Sequence, residues 1–305
     1  MGKLRSPNFF IVGAAKSGTS SLWQHLKANN EVFMPADELY KEPAFFSELK
    51  KNPSMTSAEY LNIFKEATPD HKRIGEASTA YLTDPNSAKS IYSFNPEAKI
   101  IILLRNPAER AYSLYCWMVQ EGYEYAGTFK KALGLEDHRV DKKIPNFFEP
   151  EYYYNYLYFR SGLYYEQVKR YLSLFKNNVL VIKFDFLKNN FHTAYSQICS
   201  FLDINTNTLS REAYNVSRDV YSPKLQFILR KINNQANKIV NKIYSPTYYS
   251  SKSSRDFILK IGLKKQKPAK LSMEVKKTLI KNYSDDLKKL SKIIDISFDD
   301  WIIDQ

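Results

Sequence analysis

The segment Lys99-Ile100-Ile101-Ile102-Leu103-Leu104 constrains this chain more than any other. Five consecutive aliphatic residues do not suit a strand with one wet face, which would alternate apolar with polar. They predict a strand covered on both sides, as in parallel sheets flanked by helices. Residues 9–12 and 179–184 read as further apolar strands, and 73–77 as a short one. Helical periodicity is expected at about 19–28, 108–121, 164–175, 191–202, 225–242 and 273–294. Strands alternating with helices imply an α/β fold: a central parallel sheet flanked by helices and joined by right-handed crossovers. At 305 residues with 44% apolar content, the chain can bury a large core. It reads as one domain over 1–305, with a basic, mostly helical C-terminal part at about 224–305. Residues 250–269 read as a polar loop or linker, and the aromatic run 147–159 as packing.

Several classes are disfavoured by composition. No stretch approaches the ~18 uncharged apolar residues of a membrane span. The apolar run at 8–13 is too short for a signal peptide, so the chain reads as soluble and cytoplasmic. Cys116 and Cys199 each fall in a helical apolar pattern, which argues against a disulfide framework or zinc site. His25, His71, His138 and His192 show no ligand spacing, and no metal is expected. The net charge is +13, and fourteen Lys or Arg against two acids fall between Lys224 and Lys277. That segment reads as a solvated helical face or as a surface for an anionic partner. Nucleic acid fits the charge, but no nucleic-acid-binding motif accompanies it.

The chemistry is signalled at Gly13-Ala14-Ala15-Lys16-Ser17-Gly18-Thr19-Ser20. This segment joins a strand to a helix, and its glycines have the G-x4-G spacing of a phosphate loop. Such a turn aims backbone N–H groups and a helix N-terminus at an anion. A nucleotide kinase would carry Lys after the second Gly; here that position is Thr19 and the lysine is Lys16. Metal-dependent P-loop enzymes end a second buried strand in an acid that holds Mg²⁺. The strand 99–104 ends instead in Arg105. The residues therefore suit a nucleotide held by basic groups and hydroxyls.

Phe9 to Leu22 resembles the 5′-phosphosulfate loop of sulfotransferases that use 3′-phosphoadenosine 5′-phosphosulfate (PAPS). Ile102 to Ser113, with Arg105-Asn106-Pro107, resembles their 3′-phosphate motif. Lys41-Glu42-Pro43-Ala44-Phe45-Phe46 and Gly75 to Leu82 are similar to the carbohydrate branch, which includes heparan sulfate enzymes and bacterial relatives. Weaker matches run through Gly162-Leu163-Tyr164 to Trp301. The resemblance implies a P-loop-like core with PAPS as donor, adenosine 3′,5′-bisphosphate (PAP) as product and no metal. It implies that Lys16 contacts the phosphosulfate near its bridging oxygen, and that Ser17, Gly18, Thr19 and Ser20 hold the 5′-phosphate. Arg105 and Ser113 would hold the 3′-phosphate, and Glu42 would be the catalytic base, with Glu76 as runner-up. Read without the family, Glu42 is a loop carboxylate paired with Lys41.

Two departures bear on the acceptor: Ala44 stands where this branch often has His, and Ala77 where several members have Lys. The expected acceptor is a carbohydrate hydroxyl, with the same chemistry on a small natural product, O- or N-linked, as the alternative. A P-loop kinase is disfavoured by Thr19 and Arg105. A non-catalytic polyanion binder is disfavoured by the intact set Lys16, Glu42, Arg105 and Ser113.

Overall fold

A computed structural model describes residues 5–36, 40–48, 55–141, 153–206, 218–243 and 258–303. The chain divides into two compact, interleaved units. The first comprises Met1–Pro107, Leu163–Asn215 and Tyr283–Gln305; the second comprises Ala108–Gly162 and Val216–Asn282.

The first unit is built on five strands: β1 (Phe9–Gly13), β2 (Val32–Phe33), β3 (Arg73–Glu76), β4 (Lys99–Leu104) and β5 (Val179–Lys183). They pair in parallel in the order β2-β3-β1-β4-β5. The expected parallel sheet is present, with β2 an addition too short for periodicity to reveal. Phe9 pairs with Gly75 on one side and Lys99 on the other, and the β1–β4 register shifts between Ile11 and Gly13. All of 100–104 is buried. Because side chains alternate along a strand, both faces of β4 are therefore covered. Ile101 and Leu103 join a cluster with Leu22, Trp23 and Leu26 of α1 (Thr19–Lys27) and with Ile198 and Leu202 further along the chain. Each such side chain withdrawn from water contributes about 1.5–3 kcal/mol.

Further helices of this unit are α2 (Ser57–Asn62), α3 (Ala80–Thr83) and α4 (Ser87–Phe94), and, later in the chain, the sheet-flanking helices at 164–175 and 191–202. Tyr171 of the former donates through its hydroxyl to the carbonyl of Tyr81 at 2.8 Å. At its N-terminus the N–H groups of Tyr164 and Tyr165 donate to Asp286, at 2.7 and 3.1 Å. A carboxylate from a distant helix thus caps the donors that the helix cannot satisfy itself.

In the second unit, α5 (Pro107–Gln120) is followed by α6 (Phe129–Gly134) and α7 (Glu136–Asp141). Chain order then gives α8 (Tyr164–Phe175), α9 (Phe184–Asn189) and α10 (Phe191–Leu202) in the first unit, and α11 (Pro223–Ile243) in the second. A further helix spans Met273–Ser291. The buried pair Arg139–Glu124, at 2.8 Å, and the pair Arg230–Glu121, at 3.2 Å, tie the second unit together. Tyr156 and Tyr158 are buried, in keeping with the packing role read for the aromatic run; its portion 147–152 lies outside the described residues. The linker expected at 250–269 needs correction over its described part. Ile258–Gly262 forms a 3-10 turn with Leu259 buried, and Leu263 bridges to Val220. The Gln226 side chain donates to the carbonyl of Leu259 at 3.1 Å, so local polarity concealed a packed turn.

Candidate functional site

The site begins where β1 ends. Gly13 has φ +152°, and a Cβ there would lie 2.7 Å from Cβ of Leu82 in α3, so the turn needs a residue without a side chain. Gly18, at φ +87°, sits at the N-cap of α1, where a Cβ would meet the Phe184 ring at 2.8 Å. Between them Lys16 also takes a left-handed conformation, with φ +67°. Ser17 is fully buried, and its hydroxyl has no hydrogen-bond partner among the described residues. No acid occupies the first turn of α1 and no side chain caps it. The loop therefore offers a buried hydroxyl and the positive end of a helix to an anion.

Arg105, directly after β4, reaches this loop. Its Nη1 donates to the carbonyl of Lys16 at 3.2 Å, and its guanidinium lies 5.2 Å from the centre of the Phe184 ring. Its own carbonyl accepts the Tyr164 hydroxyl at 2.9 Å. Phe184, at the start of α9, thus packs against both the loop and the arginine. Sequence reasoning assigned it no part, because nothing local to 179–184 distinguishes a site aromatic from a core one.

Glu42 reaches the same end of the sheet. Lys41 Nζ donates to Ser20 Oγ at 2.6 Å and to Glu42 Oε1 at 3.1 Å. The other carboxylate oxygen accepts from the Thr79 hydroxyl at 2.9 Å and the Thr79 N–H at 3.3 Å. The pairing with Lys41 is real, and it also ties the carboxylate to the first turn of α1. Lys41 and Thr79 lie inside the quoted motif blocks, yet only the folded chain gives them these partners.

Glu76 is placed differently. It is buried at the end of β3 and accepts hydrogen bonds from Tyr60 and, at 2.6 Å, from Ser78. Burial, reinforced by the neighbouring Glu76 charge, pushes the Tyr60 and Tyr81 phenols well above their usual range, so both stay protonated. Ser78 also accepts the N–H of Ala44 at 3.0 Å, so Glu76 and Ser78 brace the loop that carries Glu42. Ala44 and Ala77 are both buried, and Ala77 belongs to the apolar cluster of the sheet.

Lys16, Ser17, Gly18, Thr19, Ser20, Glu42 and Arg105 all belong to the first unit. Ser113 lies in the second, half-buried in the second turn of α5. Nearby on that helix, Arg110 is buried and donates to the Tyr158 carbonyl and to Ser161 Oγ at 3.0 Å.

A family pattern described as "Sulfotransferase domain" matches residues 6–291. The chain belongs to the sulfotransferase domain family. A sulfotransferase from Alicyclobacillus acidocaldarius has a similar structure, with a TM-score of 0.70 at 26% identity over 97% of this chain and 99% of that one. The chain is also 32% identical over 114 residues to a membrane-associated sulfotransferase of Dictyostelium discoideum. It is 28% identical over 139 residues to human heparan sulfate glucosamine 3-O-sulfotransferase 6. These alignments cover 37% and 46% of this chain, but only 23% and 35% of the relatives. Among the described residues, no helix of this family member is long and apolar enough to cross a membrane.

Proposed function

We propose that the chain is a sulfotransferase that moves a sulfuryl group from PAPS to an acceptor hydroxyl, leaving PAP. The observation that carries this reading is the junction of two motifs: Arg105 docks on the carbonyl of Lys16, beside the buried Ser17 hydroxyl and the N-terminus of α1. That donor set fits a nucleotide with a 5′-phosphosulfate and a 3′-phosphate. The family match runs through both units, which supports reading 1–305 as one catalytic domain.

Ser17, Gly18, Thr19 and Ser20 hold the 5′-phosphate, and Arg105 with Ser113 holds the 3′-phosphate. PAPS supplies the sulfuryl group and a phosphate leaving group. Lys16 stabilises the negative charge that grows on the leaving oxygen as the S–O bond breaks. Glu42 takes the proton of the acceptor hydroxyl as its oxygen bonds to sulfur. Its tie to Ser20 through Lys41 supports that assignment, whereas Glu76, enclosed by Tyr60 and Ser78, suits a bracing role. Arginine at the end of β4, where a metal-holding acid would stand, supports a reaction without Mg²⁺.

A carbohydrate acceptor is favoured because a relative is named for heparan sulfate glucosamine. A small natural product is the second reading, since Ala44 and Ala77 put no polar side chain where the carbohydrate branch often has His and several of its members have Lys. From the sequence alone we read the location as cytoplasmic. A thermal-shift panel tests the function: PAP stabilises the protein with or without EDTA, and Mg-ATP does not. A response to Mg-ATP alone would replace this reading with a kinase. Mass spectrometry of sugar and small-molecule acceptors incubated with PAPS then separates the two acceptor classes.

A further inference from the structure

Helix α11 packs with its polarity reversed. The side facing its own unit carries Gln226, Arg230 and Asn233, all at least 96% buried. Their partners are polar too. Gln226 donates to the carbonyls of Gln120 and Leu259, at 2.7 and 3.1 Å. Arg230 donates to the Glu121 carbonyl at 2.6 Å and to its carboxylate at 3.2 Å. The opposite side carries Leu225, Ile228 and Ile232, which are 41%, 52% and 50% exposed. Tyr221, in the bend just before the helix, is 67% exposed. Spacings of three and four residues place Leu225, Ile228 and Ile232 on one stripe at helical period. Ile261, 65% exposed, lies on the 3-10 turn that hydrogen-bonds to Gln226.

Lysines flank the stripe. At 100° per residue, Lys224 and Lys231 fall along one edge of it, and both are exposed. Lys265, Lys267 and Lys270 are exposed on the segment that follows Ile261. Some cations of this part are neutralised within the unit: Lys264 by Asp219 at 2.9 Å, and Lys276 by Glu109 at 3.0 Å. Across 224–277, however, basic residues outnumber acids by fourteen to two.

We propose that this face of α11 docks on a lipid bilayer surface bearing anionic headgroups, with the aliphatic stripe at the headgroup–acyl boundary and the lysines among the phosphates. Stripe and charge together select this occupant. A helix that lies in a membrane interface combines an apolar face with flanking lysines, and its binding sums apolar burial and attraction to anionic lipid. A sulfated or carboxylated glycan would use the lysines but gain nothing from leucine and isoleucine. A second copy of the chain would bring its own excess of like charge to the same contact.

The test is sedimentation of the full chain with sucrose-loaded vesicles of phosphatidylcholine containing roughly a quarter phosphatidylglycerol, against vesicles of phosphatidylcholine alone, at about 0.1 M salt. Binding to the anionic vesicles is expected, with the neutral ones weaker by tenfold or so. Ile228→Ser with Ile232→Ser should weaken binding by about tenfold or more. Lys224→Gln with Lys231→Gln should weaken it by an amount that shrinks at high salt. All four positions are exposed, and an unchanged melting temperature verifies that the variants fold. No binding to anionic vesicles overturns the proposal. So does binding that depends on the lysines but not on the isoleucines, and that a soluble sulfated polysaccharide abolishes; that result would make the face a polyanion site. A concentration-dependent dimer in size exclusion, lost in the isoleucine variant, would assign the stripe to a second copy instead.

Discussion

Arg105 and Lys16 meet through one hydrogen bond: Nη1 of the arginine donates to the lysine carbonyl at 3.2 Å, across 89 positions of sequence. The bond fixes the end of β4 against the loop after β1. A substitution at Arg105 therefore removes two things, a charge for the ligand and a support for the loop.

Arg105→Ala is expected to weaken PAP binding by about 1.5–3 kcal/mol through loss of a charge-assisted contact, and by about 0.5–1.5 kcal/mol more through loss of the loop contact. AMP, without a 3′-phosphate, should lose only the second amount. Calorimetric titration of both ligands checks this. Equal losses would confine Arg105 to supporting the loop.

Lys16→Ala is expected to lower kcat by ~10²-fold or more, as removal of a donor aimed at developing charge does. Ser17→Ala should cost less. Steady-state kinetics with PAPS varied reads the result. A change confined to KM for PAPS would make Lys16 a binding residue only.

Glu42 and Glu76 should separate by assay. Glu42→Gln is expected to cost ~10² or more in kcat with PAP affinity nearly unchanged. Glu76→Gln should chiefly lower the melting temperature, because a buried acceptor of the Tyr60 and Ser78 hydroxyls is weakened, at about 1–3 kcal/mol. The opposite pattern would move the base to Glu76.

Phe184 underlies both Gly18 and Arg105. Phe184→Leu keeps an apolar side chain but removes the ring face from the guanidinium, a contact of about 0.5–2 kcal/mol. PAP affinity should fall by roughly two- to thirtyfold if the ring holds the guanidinium for the 3′-phosphate, and the melting temperature should fall as well, because the contact belongs to the folded chain itself. Gly18→Ala should be worse, since its Cβ would lie 2.8 Å from the ring at φ +87°.

Asp286 gives the pH dependence. Burial raises its pKa, and the N–H bonds from Tyr165 and Tyr164 only partly oppose that rise. The folded chain thus binds this proton more tightly than the unfolded chain. The stability involved is fully present below the ordinary aspartate pKa of about 3.9 and is lost as pH rises through the higher folded value. Melting temperatures across pH for the parent and Asp286→Asn should therefore diverge over that window and run parallel above it. Curves parallel throughout would show that Asp286 titrates as an ordinary surface carboxylate.

The covered strand at 99–104, the strand–loop–helix at 9–27 and the long helices were legible from sequence because each is carried by a local run or period. The phosphate-loop residues and Arg105 were legible for the same reason, as short motifs beside apolar strands. Contacts between distant segments were not. Lys41 bridging Ser20 and Glu42, Thr79 holding Glu42, and Phe184 beneath Gly18 exist only because parallel pairing brings the C-terminal ends of β1, β3, β4 and β5 to one edge of the sheet. Helix α11 shows the limit most plainly. Its amphipathic period is written in the sequence, but which side faces inward is not. The carbonyls of Gln120, Glu121 and Leu259 provide acceptors for Gln226 and Arg230, and that polar complementarity, set by tertiary structure, turned the apolar stripe outward.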